Sequence, residues 1–313
     1  MKRFKNVVKK IFRPIYRKIM NRIIVELDQS VTAKMNYELT LLHNKMTNMH
    51  TSMHDQMTAE SHALLSQIKW VENKIEAQNE IAAVNTATFK DYRNCHVGKE
   101  VVIVATGPSL DDYQPIENAI HIGVNRAYKS EKVKLDFLFV QDFNKILIEK
   151  YGEQYYYDYI EDIENENCTK FIGRFPKYFP YSFIQLPEGM LFRMNASEYF
   201  VDPSPDKFIY ENICLHPLMD FNSVVFPALH FALFTNPKVI YLVGCDASDQ
   251  GYFSGTLGGK MTISSVYTDD TISRLMEGYH RVKEFAKQAY PETEIVSINP
   301  VGLKGLFKDV YTT

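Results

Sequence analysis

The sequence predicts an α/β fold, with a mostly parallel, Rossmann-like sheet that follows a long helical region. Residues 28–88 contain neither proline nor glycine, as expected of a long uninterrupted helix. Residues 101–105 are an unbroken apolar run, which is typical of a strand buried on both faces. From residue 90 onward, apolar runs alternate with helical patterns, and this alternation indicates βαβ units.

Residues 1–27 place apolar residues at helical spacing among basic ones. Residues 1–22 carry nine basic residues and no acidic one, which leaves −12 for the rest of a chain whose net charge is −3. A basic amphipathic helix of this kind lies on anionic membrane surfaces. A helix packed on the core, or the basic end of a coiled coil, would show the same pattern. We expect Pro14 to kink or split this helix.

Residues 28–88 predict a coiled coil. Apolar residues recur at steps of four and three, the spacing of a seam between paired helices. Two successive four-residue steps near Met53 and Met57 indicate a stutter. The predicted seam consists of Met35, Leu39, Leu42, Met46, Met49, Met53, Met57, Leu64, Ile68, Val71 and Ile75. A homo-oligomer through this region is expected, and the pattern leaves dimer, trimer and intramolecular hairpin open.

Composition excludes several classes of protein. The acidic remainder of the chain argues against nucleic acid as a partner. His50 and His54 are spaced i, i+4, but no carboxylate or third ligand stands where it would complete a metal site. The four cysteines show no CxxC spacing, which is typical of reduced thiols in a cytosolic protein. No run reaches 18 apolar residues, so no membrane-spanning helix is expected. Together with the basic segment 1–27, the thiols predict a cytoplasmic location, peripheral on the inner face of the cytoplasmic membrane.

The α/β domain is predicted to span residues 90–313. Its strand candidates are 101–105, 120–124, 135–140, 239–243 and 294–298, and its helix candidates are 110–119, 223–235 and 271–290. Residues 150–220 are rich in tyrosine, phenylalanine and proline and show weak periodicity. We interpret them as an insertion over the active site, where acceptor recognition often lies.

The first strand candidate ends in the turn Gly107-Pro108-Ser109. Gly107 would let the backbone approach a ligand, Pro108 pre-sets the first helical dihedral, and Ser109 could cap the predicted helix 110–119. The unpaired amides at such a helix start bind anions, most commonly a nucleotide phosphate. The alternative is an ordinary turn that binds nothing.

Polar residues also follow the other strand candidates. Asn125 and Arg126 follow the second, Gln141 and Asp142 the third, and Asp246 the fourth. We expect them to converge on one edge, because the carboxyl ends of parallel strands meet there. The asparagine could read a base or ribose, and the arginine could neutralise a phosphate or form a surface ion pair. Each aspartate could orient a ribose, bind a cation or cap a helix.

Four motifs in this order resemble the bacterial lipooligosaccharide sialyltransferases: GPSL, GVNRAY, FVQD and FNSVVFPALHFALFTNPKVIYLVGCD. They are also similar to flagellin-glycosylation and 6-hydroxymethylpterin diphosphokinase-like proteins, which share the GPSL turn. The similarity covers residues 99–145 and 220–302, and the coil has no counterpart in it. The resemblance implies a fold of the GT-A-variant type and transfer of a sugar from a CMP-activated donor to a cell-surface glycan acceptor. It implies no cofactor besides that donor, which is a substrate.

The resemblance also implies roles for individual residues. The GPS turn would line the phosphate or ribose of the donor, while Asn125 and Gln141 would contact the nucleotide. Ser223 would meet the cytidine end. The family places tyrosine hydroxyls on the leaving phosphate, for which Tyr252 is the candidate, and Ser248 stands where a second tyrosine is expected.

The sequence departs from the family at three further points. Thr106 and Asp220 occupy positions where the family has Asn and Arg, and its histidine base has no clear equivalent. The candidates for the base are His280, Tyr267 and Asp269.

Two other functions stay open. An ATP-dependent diphosphokinase would use Asp142 and Asp246 to hold Mg²⁺. A non-catalytic coiled-coil scaffold would explain the missing histidine. No clean DxD follows a strand candidate, which favours a metal-independent transferase.

Overall fold

In the computed structural model, the described residues are 2–141, 153–176, 186, 188–202, 208–248, 251–254 and 269–312. The chain divides into two compact units, Met1–Glu72 and Asn73–Thr313.

The first unit is helical. Helix α1 runs Lys2–Phe89, and its residues up to Glu72 make up this unit. The helix continues through Pro14, so a split at this residue is wrong, while a kink there stays a prediction. Every side chain described between residues 13 and 72 is exposed, and this range contains all of the predicted seam except Ile75, which is exposed as well. Among the described residues, no helix combines the length and apolar character that crossing a bilayer requires.

The second unit contains a nine-stranded sheet in the order β6-β5-β4-β3-β2-β1-β7-β8-β9. All neighbouring strands pair in parallel, which confirms the Rossmann-like α/β class. The strands are β1 (Glu100–Val104), β2 (Ile120–Val124), β3 (Phe137–Val140), β4 (Thr169–Arg174), β5 (Ala196–Asp202), β6 (Leu218–Met219), β7 (Val239–Val243), β8 (Glu294–Ile298) and β9 (Lys308–Val310). The helices are α2 (Glu153–Asn165), α3 (Met190–Arg193), α4 (Val225–Phe234) and α5 (Asp269–Ala289).

Both faces of the sheet are covered by apolar side chains. In β1, Val101 and Ile103 pack on the face that carries α4, α5 and the end of α1, while Val102 and Val104 pack on the face that carries α2 and α3. A row of aromatic rings, with neighbouring centroids 4.8 to 6.0 Å apart, fills the first face: Phe89, Phe137, Phe139, Phe171 and Phe231. The sheet is thus the middle of three layers.

The order of the strands reverses between β1 and β7. From β1 the chain adds β2 to β6 on one side, and it then returns to place β7, β8 and β9 on the other. In open α/β sheets, ligands bind outside the carboxyl ends of the strands at such a switch point. The turn after β1, which contains Gly107 and Ser109, lies at this point.

The structure corrects two sequence predictions. The helix expected at 110–119 is absent: a 3-10 turn over Pro108–Leu110 is followed by irregular chain, because Pro115 disfavours helical geometry in the residue before it. Residues 150–220, interpreted as an insertion, contribute β4, β5 and β6 to the sheet itself.

The end of α1 belongs to the core of the second unit. Asn85 is fully buried, and its amide nitrogen donates to the carbonyls of Ile213 (3.1 Å) and His216 (2.7 Å). Its amide oxygen accepts from the Phe200 N–H at 2.9 Å. One side chain therefore bonds three backbone groups, of which those of Ile213 and Phe200 are buried.

We expect Asn85→Ala to lower the free energy of unfolding of the second unit by about 3 kcal/mol, because three backbone groups lose their partner. Urea unfolding followed by near-UV circular dichroism measures this. Asn79→Ala, on an exposed position of the same helix, is the matched control and should change the value by less than about 0.5 kcal/mol. Equal effects of the two variants would contradict the assignment.

Candidate functional site

At the switch point, the turn after β1 is hydrogen-bonded to the loop after β7. Asp246, which is 5% exposed, accepts from the Ser109 backbone N–H (3.0 Å) and from the Ser109 hydroxyl (2.7 Å). The same hydroxyl accepts from the Gly244 N–H at 3.1 Å. Burial raises the pKa of Asp246, while the two bonds from Ser109 lower it. The pair therefore joins the ends of β1 and β7, after which the chain goes on to β2 on one side of the sheet and to β8 on the other.

The amides predicted to bind an anion are engaged within the protein. The Gly107 N–H donates to the Gly244 carbonyl at 2.8 Å, Ser109 donates to Asp246, and Pro108 has no N–H. The expectation of unpaired amides at a helix start is therefore wrong at this turn. A nucleotide contact by residues 107–109 stays a prediction, and it would have to use other atoms.

Gly107 is explained by the close approach of the two segments. A Cβ at this residue would lie 2.2 Å from Asp246 Oδ2 and 2.5 Å from the Gly244 carbonyl oxygen. Its φ of −71° is ordinary, so space and not backbone conformation requires glycine. The sequence predicted that Gly107 lets the backbone approach a ligand; in the structure it lets the backbone approach the loop after β7.

A second row of polar residues lies beyond β2, β3 and β6. Asn125, in the left-handed region at φ 45°, accepts from the Gln141 N–H at 3.2 Å. The Gln141 amide nitrogen is 3.4 Å from Asp220 Oδ2, and Asp220 Oδ1 accepts from the Ser223 N–H at 2.8 Å. The Ser223 hydroxyl accepts from the Val225 N–H at 3.3 Å, at the start of α4. The structure thus brings together three of the predicted residues and adds Asp220.

Gln141 has one polar atom left over. Its amide oxygen is buried and has no hydrogen-bond partner within the described part of the chain. A buried polar atom without a partner carries a free-energy cost that a bound group can remove. We call Asn125, Gln141, Asp220 and Ser223 the polar row.

Three other predicted residues, Arg126, Tyr252 and His280, lie outside the polar row. The guanidinium of Arg126 lies over the ring of Tyr159, 4.6 Å from its centroid. Tyr252 is half-buried, and the N–H of its neighbour Phe253 donates to the Thr106 carbonyl at 2.9 Å, which places this loop on the turn after β1. His280 is exposed on α5. The residues Asp142 and Tyr267 lie outside the described residues, as does the side chain of Asp269.

Arg281 is a cation near the polar row that the sequence did not single out. Its guanidinium is 5.8 Å from the centroid of the Phe221 ring, one residue after Asp220, and it pairs with Glu277 at 2.6 Å. Nothing in the spacing of the sequence could have found it, because α5 and the polar row meet only in the tertiary structure. Within the described residues, no three His, Cys, Asp or Glu side chains lie where they could share a metal ion.

The comparisons with known proteins found similarity to a solved structure. No protein-family model matches the chain, and no curated protein matches it. Among solved structures, the chain is similar to the sialyltransferase CstII from Campylobacter jejuni, in complex with the substrate analogue CMP-3FNeuAc. The two are 15% identical with a TM-score of 0.40, over 68% of this chain and 86% of that one. This similarity assigns no role to any residue of the present chain.

We expect Asp246→Ala to destabilise the second unit by about 2 kcal/mol, because the buried Ser109 N–H loses its acceptor. Gly107→Ala should cost about 1–3 kcal/mol through overpacking. Part of the clash is with the carboxylate, so the double variant should be less destabilised than the two single variants added together. Urea unfolding of all four proteins measures this coupling, and strict additivity would refute the contact.

Proposed function

We propose that the chain is a glycosyltransferase that transfers a sugar from a CMP-activated donor to a cell-surface glycan acceptor. The observation that carries the proposal is the polar row, which stands at the carboxyl edge of a doubly wound parallel sheet, where β2, β3 and β6 end. The unpartnered amide oxygen of Gln141 supports it, since a donor group of a ligand would supply the missing hydrogen bond. The motifs GPSL and GVNRAY support the choice of CMP through their resemblance to sialyltransferases.

In the proposed reaction, an acceptor hydroxyl attacks the anomeric carbon of the donor. Its proton goes to a general base, for which His280, Tyr267 and Asp269 are the candidates. The bond from the anomeric carbon to the phosphate oxygen breaks, and CMP leaves with the electron pair. The hydroxyl of Tyr252 donates to the departing phosphate, beside the turn after β1.

The proposal assigns no metal ion to the leaving phosphate. The carboxylate of Asp246 accepts two hydrogen bonds from Ser109, so it already serves the closure of the switch point. In the proposal, hydroxyl and amide donors take the place that a cation would have.

Asn125→Ala should weaken CMP binding at least about tenfold, because it removes an amide from the polar row. Asn118→Ala is the matched control, since Asn118 is also left-handed (φ 62°) but precedes β2, at the opposite edge of the sheet. The measurement is thermal stabilisation by CMP, CDP, UDP and ATP, each with and without Mg²⁺. Release of free CMP from the donor, unaffected by a chelator, completes the test.

Two outcomes would overturn the proposal. Stabilisation by ATP that requires Mg²⁺, without a response to CMP, would favour the diphosphokinase-like alternative. No stabilisation by any nucleotide at millimolar concentration would favour the non-catalytic scaffold.

We also propose that residues 1–27 hold the protein on the inner face of the cytoplasmic membrane. Their nine basic residues, set among apolar ones, suit an anionic surface. Deletion of these residues should abolish sedimentation with vesicles of anionic lipid and leave nucleotide binding intact. Zwitterionic vesicles are the control, and equal binding of the truncated protein to anionic vesicles would refute the assignment.

A further inference from the structure

Helix α1 carries a continuous file of exposed apolar side chains along one face. We call these residues the α1 seam: Ile24, Leu27, Val31, Met35, Leu39, Leu42, Met46, Met49, Met53, Met57, Leu64, Ile68 and Val71. Each is between 46% and 65% exposed. Soluble proteins rarely leave an apolar surface of this extent in contact with water.

The spacing of the α1 seam keeps it on one side of a straight helix. Counting Ser61 as its one polar position, 13 steps cover the 47 residues from Ile24 to Val71, or 3.6 residues a step. A strict heptad averages 3.5 and would require supercoiling, whereas 3.6 is the period of the α-helix itself. The stutter near Met53 and Met57 is therefore part of a longer pattern that restores this period.

The α1 seam has the character of a protein interface and lacks that of a membrane surface. Residues 24–71 hold three lysines and five acidic residues, against the nine basic residues and no acidic one of residues 1–22. Anionic lipid is attracted by cations beside the apolar face, and this part of α1 has few. Because few charges flank the α1 seam, a second apolar seam with few charges can pack against it without repulsion between like charges.

We propose that a second copy of this chain packs against the α1 seam, with the two helices side by side over residues 24–71. The proposal goes beyond the function above, since it does not depend on nucleotide binding. A second copy has the same 3.6-residue period by construction, so its apolar layers stay in step along the whole length, which a strict heptad partner would not achieve. A stable interface takes about 20 to 30 residues from each partner, and the seam with its flanking positions offers that many.

The test uses two matched double variants of the full chain. Leu39→Gln with Leu42→Gln alters the α1 seam, while Tyr37→Gln with Leu41→Gln alters exposed residues on the opposite side of the same turns. Glutamine is a good helix former, so the helix itself is kept in both. Sedimentation equilibrium at micromolar concentration gives the mass, relative to 36.3 kDa for one chain.

The wild type and the Tyr37/Leu41 variant should sediment as an oligomer. The Leu39/Leu42 variant should self-associate at least about 100-fold more weakly, because two apolar side chains are lost from each of the two copies. A monomeric wild type, or equal weakening by both variants, would overturn the proposal. Thermal stabilisation by CMP should be the same in all three proteins, so failure of this proposal is distinguishable from failure of the proposed function.

Discussion

A parallel sheet must be buried on both faces, and the second unit is organised by this constraint. Its strands are apolar on both sides, so α4, α5 and the end of α1 cover one face and α2 and α3 the other. Burying the end of a long helix brings backbone groups out of water, and Asn85 satisfies three of them. The last turns of α1 are therefore part of the α/β core, whereas residues 24–71 present apolar side chains to solvent.

The polar groups of the candidate site lie at the carboxyl edge of the same sheet. Where the strand order reverses, Ser109 and Asp246 join the turn after β1 to the loop after β7, and Gly107 makes room for their contact. Because the polar groups of this turn are engaged within the protein, the groups left for a ligand are those of the polar row, in which the Gln141 N–H donates to Asn125. Amide, hydroxyl and carboxylate groups therefore meet at this edge of the sheet, where the proposed donor site lies.

Sequence patterns predicted the elements whose residues obey a single period. The strands β1, β2, β7 and β8 lie within one residue of the predicted ranges. The strand β4 was missed because it carries Lys170 and Arg174, whose charges are compensated only by distant partners: the Met194 carbonyl at 2.9 Å, and Glu80 and Glu198 at 2.6 and 2.7 Å. The helix predicted at 110–119 was wrong because a cap at Ser109 does not suffice to start a helix when Pro115 disfavours helical geometry in the residue before it.

By itself, the sequence determined the fold class, the long helix with its apolar seam, and the convergence of Asn125 and Gln141 on one edge. These follow from local periodicity and from the rule that parallel strands end together. The tertiary structure alone decided which polar groups remain available there. In it, the Gly107 and Ser109 amides donate to Gly244 and Asp246, and Arg281 lies over the ring of Phe221, next to the polar row. The physical reason is that hydrogen-bond partners far apart in sequence are chosen by packing, which no local pattern encodes.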